Sequence, residues 1–369
     1  MEIFIQGILS VTWQQVVMML VGGILIYLGV VKEYEPTLLV PMGLGTILVN
    51  IPHSGLVTQG DTVGVLNNLF DFGIATELFP LLIFIGIGAM IDFGPLLSNP
   101  SMLFFGAAAQ FGIFFTMIVA VLLGFDIREA GSIGIIGAAD GPTSVFVSSQ
   151  LAPSLLGPIT VAAYSYMALV PLIQPPAIKL VTTKAERRIK MTYHAEAVSK
   201  KTKILFPIII TIVSGFIAPE SLPLVGFLMY GNLMRECGVL DRLSETAQNA
   251  LVNIITILLG LTIATTMQAE LFLKVQTLMI IGMGLLAFIM DSIGGVLFAK
   301  VLNLFRKEKI NPMIGAAGIS AFPMSARVVQ KIATEEDPKN FILNYSISAN
   351  VAGQIGSVIA GGLILGLLK

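Results

Sequence analysis

The chain has 369 residues, of which 55% are hydrophobic and only 12% charged, and its formal net charge is −1. Soluble domains carry about 25% charged residues, well above the share in this chain. This low charge and the mean hydropathy of +0.90 together exclude an ordinary water-soluble protein. No sustained basic stretch of the kind that binds nucleic acid is present, and the lone Cys237 excludes an internal disulfide. The composition predicts an all-α polytopic protein of the lipid bilayer.

About ten apolar runs are long enough to cross or nearly cross a bilayer core, which needs roughly 20 residues per helix. The first run follows a segment without Lys or Arg, and no small-residue cleavage site comes after it, so we interpret it as a retained span and not a signal peptide. The ten candidate spans are roughly 13–31, 37–50, 78–93, 102–124, 155–182, 203–218, 223–235, 250–267, 275–298 and 341–368.

Two further stretches, 130–150 and 310–333, fit poorly as plain spans. The chain contains 37 Gly and 18 Pro, which predicts interrupted helices. Lipid tolerates such breaks only where the freed backbone groups are buried in protein or face water. We therefore predict that both stretches are broken, re-entrant elements and that function resides in them.

The first broken element carries the motif Gly137-Ala-Ala-Asp-Gly-Pro-Thr143, followed by Ser144. Pro142 removes a helical donor and Gly141 frees the backbone, so a carboxylate and two hydroxyls lie beside exposed carbonyl groups. Such oxygens suit a hard monovalent cation such as Na⁺. The alternative is that Asp140 merely caps the following helix in a water-exposed loop.

The segment 184–203 holds seven of the 21 Lys and Arg residues and is predicted to be a basic cytoplasmic linker. It separates a first membrane repeat, 1–183, from a second, 204–369. Ile136-Gly-Ala-Ala139 matches Ile314-Gly-Ala-Ala317, and a second pair of similar segments begins at Tyr164 and Tyr345. Five true spans in each half would make the two repeats inverted.

The second broken element lies between Pro312 and Pro323 and offers the Asn311 amide, the Ser320 hydroxyl and the Arg327 guanidinium. An arginine is costly in hydrocarbon. Arg327 is therefore interpreted either as a clamp for a carboxylate or carbamate or as a side chain that reaches the membrane interface.

Three other polar residues lie in apolar surroundings. Tyr166 and Asn350 follow the two breaks in matched helices, where each is either functional or part of a helix–helix hydrogen bond. Asp291 is either an ion or proton relay or the marker of a helix end.

The motifs at 137–143, Asn311-Pro-Met-Ile-Gly315, Ser320 and Asn350-Val-Ala-Gly353 closely resemble the β subunits of biotin-dependent, sodium-pumping decarboxylases. That family acts on oxaloacetate, methylmalonyl-CoA or glutaconyl-CoA. The resemblance extends over essentially the whole chain. It implies a membrane subunit that receives carboxybiotin from a carrier, releases CO₂ with uptake of a proton, and moves Na⁺ out of the cytoplasm.

The resemblance also implies roles for residues and partners. The expected partners are a carboxyltransferase α subunit, a biotin carrier protein or domain, a small single-span membrane subunit and further copies of the chain, in a bacterial or archaeal cytoplasmic membrane. The alternative is a Na⁺-coupled secondary transporter of a carboxylate. The catalytic residues are expected to be Asp140, Tyr166 and Arg327, with Arg327 holding carboxybiotin, and the Na⁺ ligands Asp140, Thr143, Asn311, Gly315, Ser320 and Asn350.

Overall fold

A computed structural model describes residues 9–33, 36–60, 62–191 and 197–369. Residues 1–8, 34–35 and 61 of the predicted first repeat, and 192–196 of the predicted linker, lie outside these ranges. Within them the chain forms helices and irregular segments, and the only β pairing described is an isolated bridge between Gln59 and Thr62. The prediction of an all-α architecture is confirmed.

The helices of the described chain are short and frequently interrupted, as its Gly and Pro content predicts. Before the linker they are α1 Trp13–Val30, α2 Pro36–Val49, α3 Val65–Phe70, α4 Leu78–Met90, α5 Gly94–Ser98, α6 Leu103–Ala108, α7 Phe111–Leu122, α8 Ile127–Gly134, α9 Gly141–Leu151, α10 Leu156–Ala168 and α11 Val170–Val181. In and after it they are α12 Lys184–Arg187, α13 Lys200–Ile217, α14 Leu222–Cys237, α15 Asp241–Thr246, α16 Val252–Ile263, α17 Ala269–Phe272, α18 Val275–Phe305, α19 Met324–Glu336 and α20 Leu343–Leu368.

Five helices of the described chain are long and apolar enough to cross a membrane, and the number rises to seven if each of two bent pairs is one span. One bent pair is the predicted span 155–182, which turns by 74° between α10 and α11. The other places a 58° bend before α4. The five are Trp13–Val30, Pro100–Leu122, Asp241–Met267, Val275–Phe305 and Leu343–Leu368.

Ion pairs and hydrogen bonds distinguish two ends of the molecule. At the linker end, Arg187 pairs with Glu336 at 2.7 Å and Lys203 pairs with Asp92 at 3.2 Å. At the opposite end, Arg128 donates to the carbonyl of Leu368 at 3.0 Å. The linker end also carries the basic segment 184–203.

The two broken elements enter from different ends. The first begins with α8 beside Arg128 and returns through α9, where the Ser149 hydroxyl donates to Glu77, at the start of α4. The second begins where the Asn311 amide donates to the carbonyl of Arg187 at 2.9 Å, and it returns through α19 to Glu336. Each element therefore enters and leaves as a hairpin.

Glycine pairs allow the second hairpin to lie deep between two long helices. The 3₁₀ segment Pro312–Gly318 packs against α18 and α20. A β-carbon on Gly315 would lie 1.9 Å from the Gly295 carbonyl oxygen, and one on Gly353 would lie 2.1 Å from the Gly318 oxygen. Backbone touches backbone at both places, so no side chain fits.

Candidate functional site

The tips of the two hairpins meet in the interior of the protein. The backbone N–H of Ser320 donates to the carbonyl of Ala138 at 3.0 Å. The first hairpin breaks at Ala139, which adopts a left-handed conformation with φ of 54° that is unusual for a residue with a side chain. Helix α9 begins at Gly141, and Pro142 lies in its first turn, where proline is well tolerated. The local sequence therefore ends one helix and begins another at Asp140.

Asp140 is the N-terminal cap of α9 and is also buried, with 4% of its surface exposed. Its carboxylate accepts from the Thr143 hydroxyl at 2.7 Å and from the Thr143 backbone N–H at 3.3 Å. The capping alternative is thus correct for the hydrogen bond but not for its water-exposed setting. A helix N-terminus favours negative charge, so the position suits a carboxylate that also attracts a cation.

Helix α20 supplies three polar side chains to the same place. The Ser357 hydroxyl donates to the Asp140 carboxylate at 3.1 Å, the Gln354 amide donates to the Ser320 carbonyl, and the Asn350 amide donates to the Ile319 carbonyl at 2.6 Å. Positions 350, 354 and 357 share one helix face. Sequence analysis identified Asn350 alone. The helical spacing of these polar residues in an apolar span was the signal for the other two.

Several buried oxygens at this junction are available to a ligand. Within the described residues, the amide oxygens of Asn350 and Gln354 have no hydrogen-bond partner. The Ser320 hydroxyl donates to the Gly353 carbonyl at 2.9 Å and keeps its own lone pairs. One carboxylate combined with neutral hydroxyl and amide oxygens is the chemistry expected of a Na⁺ site.

A cavity of about 320 Å³ opens beside this junction. Asp140, Tyr164, Ser320 and Gln354 line one side of it. Met90, the last residue of α4, also lines it, and Met90 lies near the linker end because Asp92, two residues later, pairs with Lys203. The cavity therefore extends from the buried oxygens toward the linker end.

Tyr164, and not Tyr166, is the tyrosine that faces this cavity. The Tyr164 ring packs on Gly141, where a β-carbon would lie 2.3 Å from a ring carbon, and its buried hydroxyl has no partner among the described residues. The Tyr166 hydroxyl donates to the carbonyl of Ile281 at 2.5 Å on the other side of α10. Sequence analysis assigned no role to Tyr164 itself.

Three predicted site residues lie elsewhere. The Asn311 amide donates to the carbonyls of Arg187 and Ile189, and its oxygen accepts from Met313, so it joins the linker to the second hairpin. Gly315 is packed against Gly295. The structure does not place either of them beside Asp140. Arg327 is exposed on the first turn of α19 and makes no ion pair in the described part of the chain.

Asp291 is separate from this junction. It is fully buried in the middle of the 31-residue α18, so it does not mark the end of that helix. Its carboxylate accepts from the Ile113 N–H at 3.2 Å near the start of α7. Its other oxygen faces Gly137, where a β-carbon would lie 2.6 Å away.

Comparison with known proteins gives consistent similarities over the full chain. Residues 14–368 match the family described as the Na⁺-transporting oxaloacetate decarboxylase beta subunit. The chain is 51% identical to the glutaconyl-CoA decarboxylase subunit beta of Acidaminococcus fermentans, covering 98% of this chain and 95% of the relative. It is 50% identical to the methylmalonyl-CoA decarboxylase subunit beta of Propionigenium modestum, covering 98% and 96%. It is 44% identical to the oxaloacetate decarboxylase beta chain of Klebsiella pneumoniae, covering 97% and 96%.

Proposed function

The chain belongs to the β-subunit family of the Na⁺-transporting decarboxylases, and from this premise we propose that it decarboxylates carboxybiotin presented by a partner and couples that reaction to Na⁺ export. The observation that carries the proposal is the buried Asp140 carboxylate at the meeting point of two hairpins. A buried ionisable group in a membrane protein is expensive to maintain and generally marks an ion or proton path.

We propose that Na⁺ binds at Asp140 with oxygens from Thr143, Ser320, Gln354 and Asn350. The three donors to the Asp140 carboxylate leave lone pairs on its two oxygens. The amide oxygens of Gln354 and Asn350 are buried and have no partner in the part of the chain that the structure describes, so a cation would restore the interactions that burial removed. Asn311 and Gly315 would shape the hairpin around the ion and would not bind it.

The decarboxylation step breaks the bond between the carboxyl carbon and the ureido nitrogen of carboxybiotin. CO₂ leaves, the bonding electron pair remains on the nitrogen, and a proton is added there. Tyr164 lines the cavity beside Asp140, and its hydroxyl has no partner among the described residues, which supports a proton path through Asp140 and Tyr164. The predicted role of Tyr166 would then be to hold α10 against α18.

Arg327 would hold the carboxyl group of the substrate beside the cavity that Asp140 and Tyr164 also line. Met324 lines the cavity, and Arg327 lies three residues later, on the same face of α19 one turn away. Its guanidinium is exposed and forms no ion pair with described residues. A free guanidinium at this place suits recognition of a carboxylate.

The proposed transport cycle alternates access to the site from the two ends of the molecule. Two hairpins that enter from opposite ends and meet at their tips support an inverted repeat, with roughly five spans in each half. In the membrane of a bacterial or archaeal cell, the linker end would face the cytoplasm. There a biotin carrier and a carboxyltransferase subunit would dock, and a small membrane subunit and further copies of the chain would complete the complex.

The test is uptake of ²²Na⁺ into inverted vesicles that carry the assembled complex, driven by its carboxylated substrate. We expect Asp140→Asn to abolish uptake together with CO₂ release, because Asn retains the helix cap but not the charge. Asp126→Asn is the matched control, since Asp126 caps α8 at the exposed opposite end. This control should leave both activities intact.

The alternative function is a Na⁺-coupled transporter of a carboxylate, and it would use the same cation site. The proposed pump function is wrong if the wild-type complex shows no substrate-driven uptake of Na⁺, but an imposed Na⁺ gradient drives carboxylate uptake without release of CO₂. Loss of uptake in Asp126→Asn as well would show that the assay reports on folding and not on the Asp140 charge.

A further inference from the structure

The part of the cavity wall formed by the segment Asp241–Met267 carries three polar side chains that the proposed mechanism does not use. Gln248, Asn253 and Thr256 all line the cavity from the membrane-spanning segment Asp241–Met267. Gln248, Val252 and Thr256 are four residues apart and so lie on one side of the helix, and Asn253 adjoins Val252. Gln248 lies in a π-helical turn, Ala247–Leu251, a feature often found at functional sites.

Five other polar side chains in this segment have hydrogen bonds within it. Their hydroxyl or amide groups donate to carbonyls of their own helix, which is the usual solution in an apolar environment. Within the described residues, no hydrogen bond is made by the side chains of Gln248, Asn253 or Thr256. The bonded ones are Thr246, Asn249, Thr262, Thr265 and Thr266. The three polar side chains of this segment that line the cavity thus keep their donors and acceptors for a ligand.

The cavity is too large for a cation alone. Its volume of about 320 Å³ lies at the lower end of the range for small-molecule sites, roughly 300–1,000 Å³. A water molecule occupies only about 30 Å³ of liquid. Apolar side chains such as Ile83, Ile87 and Phe322 form much of the remaining lining, which suits an organic ring with a polar edge.

This wall is also held rigidly. A β-carbon on Gly86 of α4 would lie 1.9 Å from a side-chain carbon of Val252 and 2.9 Å from the Ala247 carbonyl oxygen. The helix that carries the three polar residues is therefore packed closely on α4 at this level. Recognition groups on fixed elements keep their geometry when a ligand arrives.

We infer that Gln248, Asn253 and Thr256 bind the ureido ring of carboxylated biotin, opposite the cation site. The inference rests on the proposed function, because it names the residues that orient that substrate. A ureido group presents a carbonyl acceptor and an N–H donor. A carboxamide offers both a donor and an acceptor, so Gln248 and Asn253 match both groups, and the ring would lie with its carboxylated nitrogen toward Asp140 and Tyr164.

The first experiment measures binding without turnover. In the assembled complex, with Cys237 replaced by Ser, Asn253→Cys should react with N-ethylmaleimide, and free biotin should slow the labelling several-fold, whereas Na⁺ should not. The matched control is Asn249→Cys, because Asn249 is exposed on the same helix but does not line the cavity. Its labelling should be indifferent to biotin. If Na⁺ alone protects Asn253→Cys equally well, the cavity serves as a path for the ion and not as a site for the ring, and the inference is wrong.

The second experiment measures decarboxylation of free carboxybiotin by Asn253→Ala and Asn249→Ala complexes. We expect Asn253→Ala to raise the KM for carboxybiotin about tenfold, with an unchanged half-saturating Na⁺ concentration. If the wild type decarboxylates carboxybiotin but biotin gives no protection and the KM does not change, the inference is wrong and the proposed function stands. If biotin protects but the wild type releases no CO₂, the binding site stands and the proposed function falls.

Discussion

Ser357 shows how much of this site depends on single hydrogen bonds from a helix distant in sequence. Its hydroxyl reaches the Asp140 carboxylate from α20, 217 residues along the chain. A hydrogen bond to a charged group is worth about 1.5–3 kcal/mol. Ser357 therefore fixes the orientation of a carboxylate that would otherwise be held only by its own hairpin.

We expect Ser357→Ala to weaken Na⁺ binding, because the carboxylate loses the donor that orients it from the opposite helix. The half-saturating Na⁺ concentration for decarboxylation should rise about tenfold, and the maximal rate should change less. Ser348→Ala is the control on the same helix, since the Ser348 hydroxyl donates to the Asn344 carbonyl at 2.8 Å. Equal effects of both substitutions would contradict a specific role for Ser357.

Among the elements, the second hairpin depends on glycine for its position. Gly315 touches Gly295 through the backbone, with no space for a methyl group. Adding a methyl group to such a close-packed interior typically lowers the free energy of unfolding by about 1–3 kcal/mol. The proposed contribution of Gly315 to Na⁺ binding would thus be indirect, through the position of the hairpin that ends at Ser320.

We expect Gly315→Ala to lower the thermal stability of the solubilised protein and to reduce Na⁺ affinity at the same time. Gly282→Ala in α18 is the matched control, because a β-carbon there meets nothing within 4 Å. Alanine is favoured over glycine in a helix by about 1 kcal/mol, so this control should keep or raise stability. A fully stable Gly315→Ala protein that still loses Na⁺ affinity would argue for direct binding by the Gly315 carbonyl.

The broken elements were predictable because their residues interrupt helices by local chemistry. Pro142, Gly141 and the bracketing prolines of the second hairpin act within a few positions, so 130–150 and 310–333 could be located from the sequence. Which side chains face Asp140 depends on contacts between helices that are distant in sequence. Tyr164 and Tyr166 are two positions apart and point to different neighbours, and no local pattern could choose between them. Asn311 was similarly assigned by type, and its contact is with the linker.

At the scale of the whole molecule, a largely buried ion pair at the linker end joins α12 to α19. The side chain of Arg187, 8% exposed, pairs with Glu336 at 2.7 Å and also donates to the carbonyl of Thr182. Glu336 is the last residue of α19, the return arm of the second hairpin. The pair therefore ties the linker to the return arm of the second hairpin.

The hydrogen bond from Arg187 lowers the pKa of the Glu336 carboxyl below its ordinary value of 4.5. The carboxylate form is favoured in the folded state, so the pair stabilises the protein fully above about pH 4.5, the ordinary pKa of the group. This stabilisation is lost as the pH falls through the lower pKa of the folded state. We expect Glu336→Gln to unfold a few degrees below the wild type at neutral pH, and this difference should disappear in acid, where both side chains are neutral. Thermal unfolding of the solubilised protein across this pH range measures the difference.

Glu335→Gln is the control, because Glu335 pairs with Lys179 at 3.7 Å with half of its side chain exposed, and exposed pairs contribute little. If the difference in unfolding temperature between wild type and Glu336→Gln persists unchanged in acid, the glutamate acts by packing. The charge of this pair would then not stabilise the contact between the linker and α19.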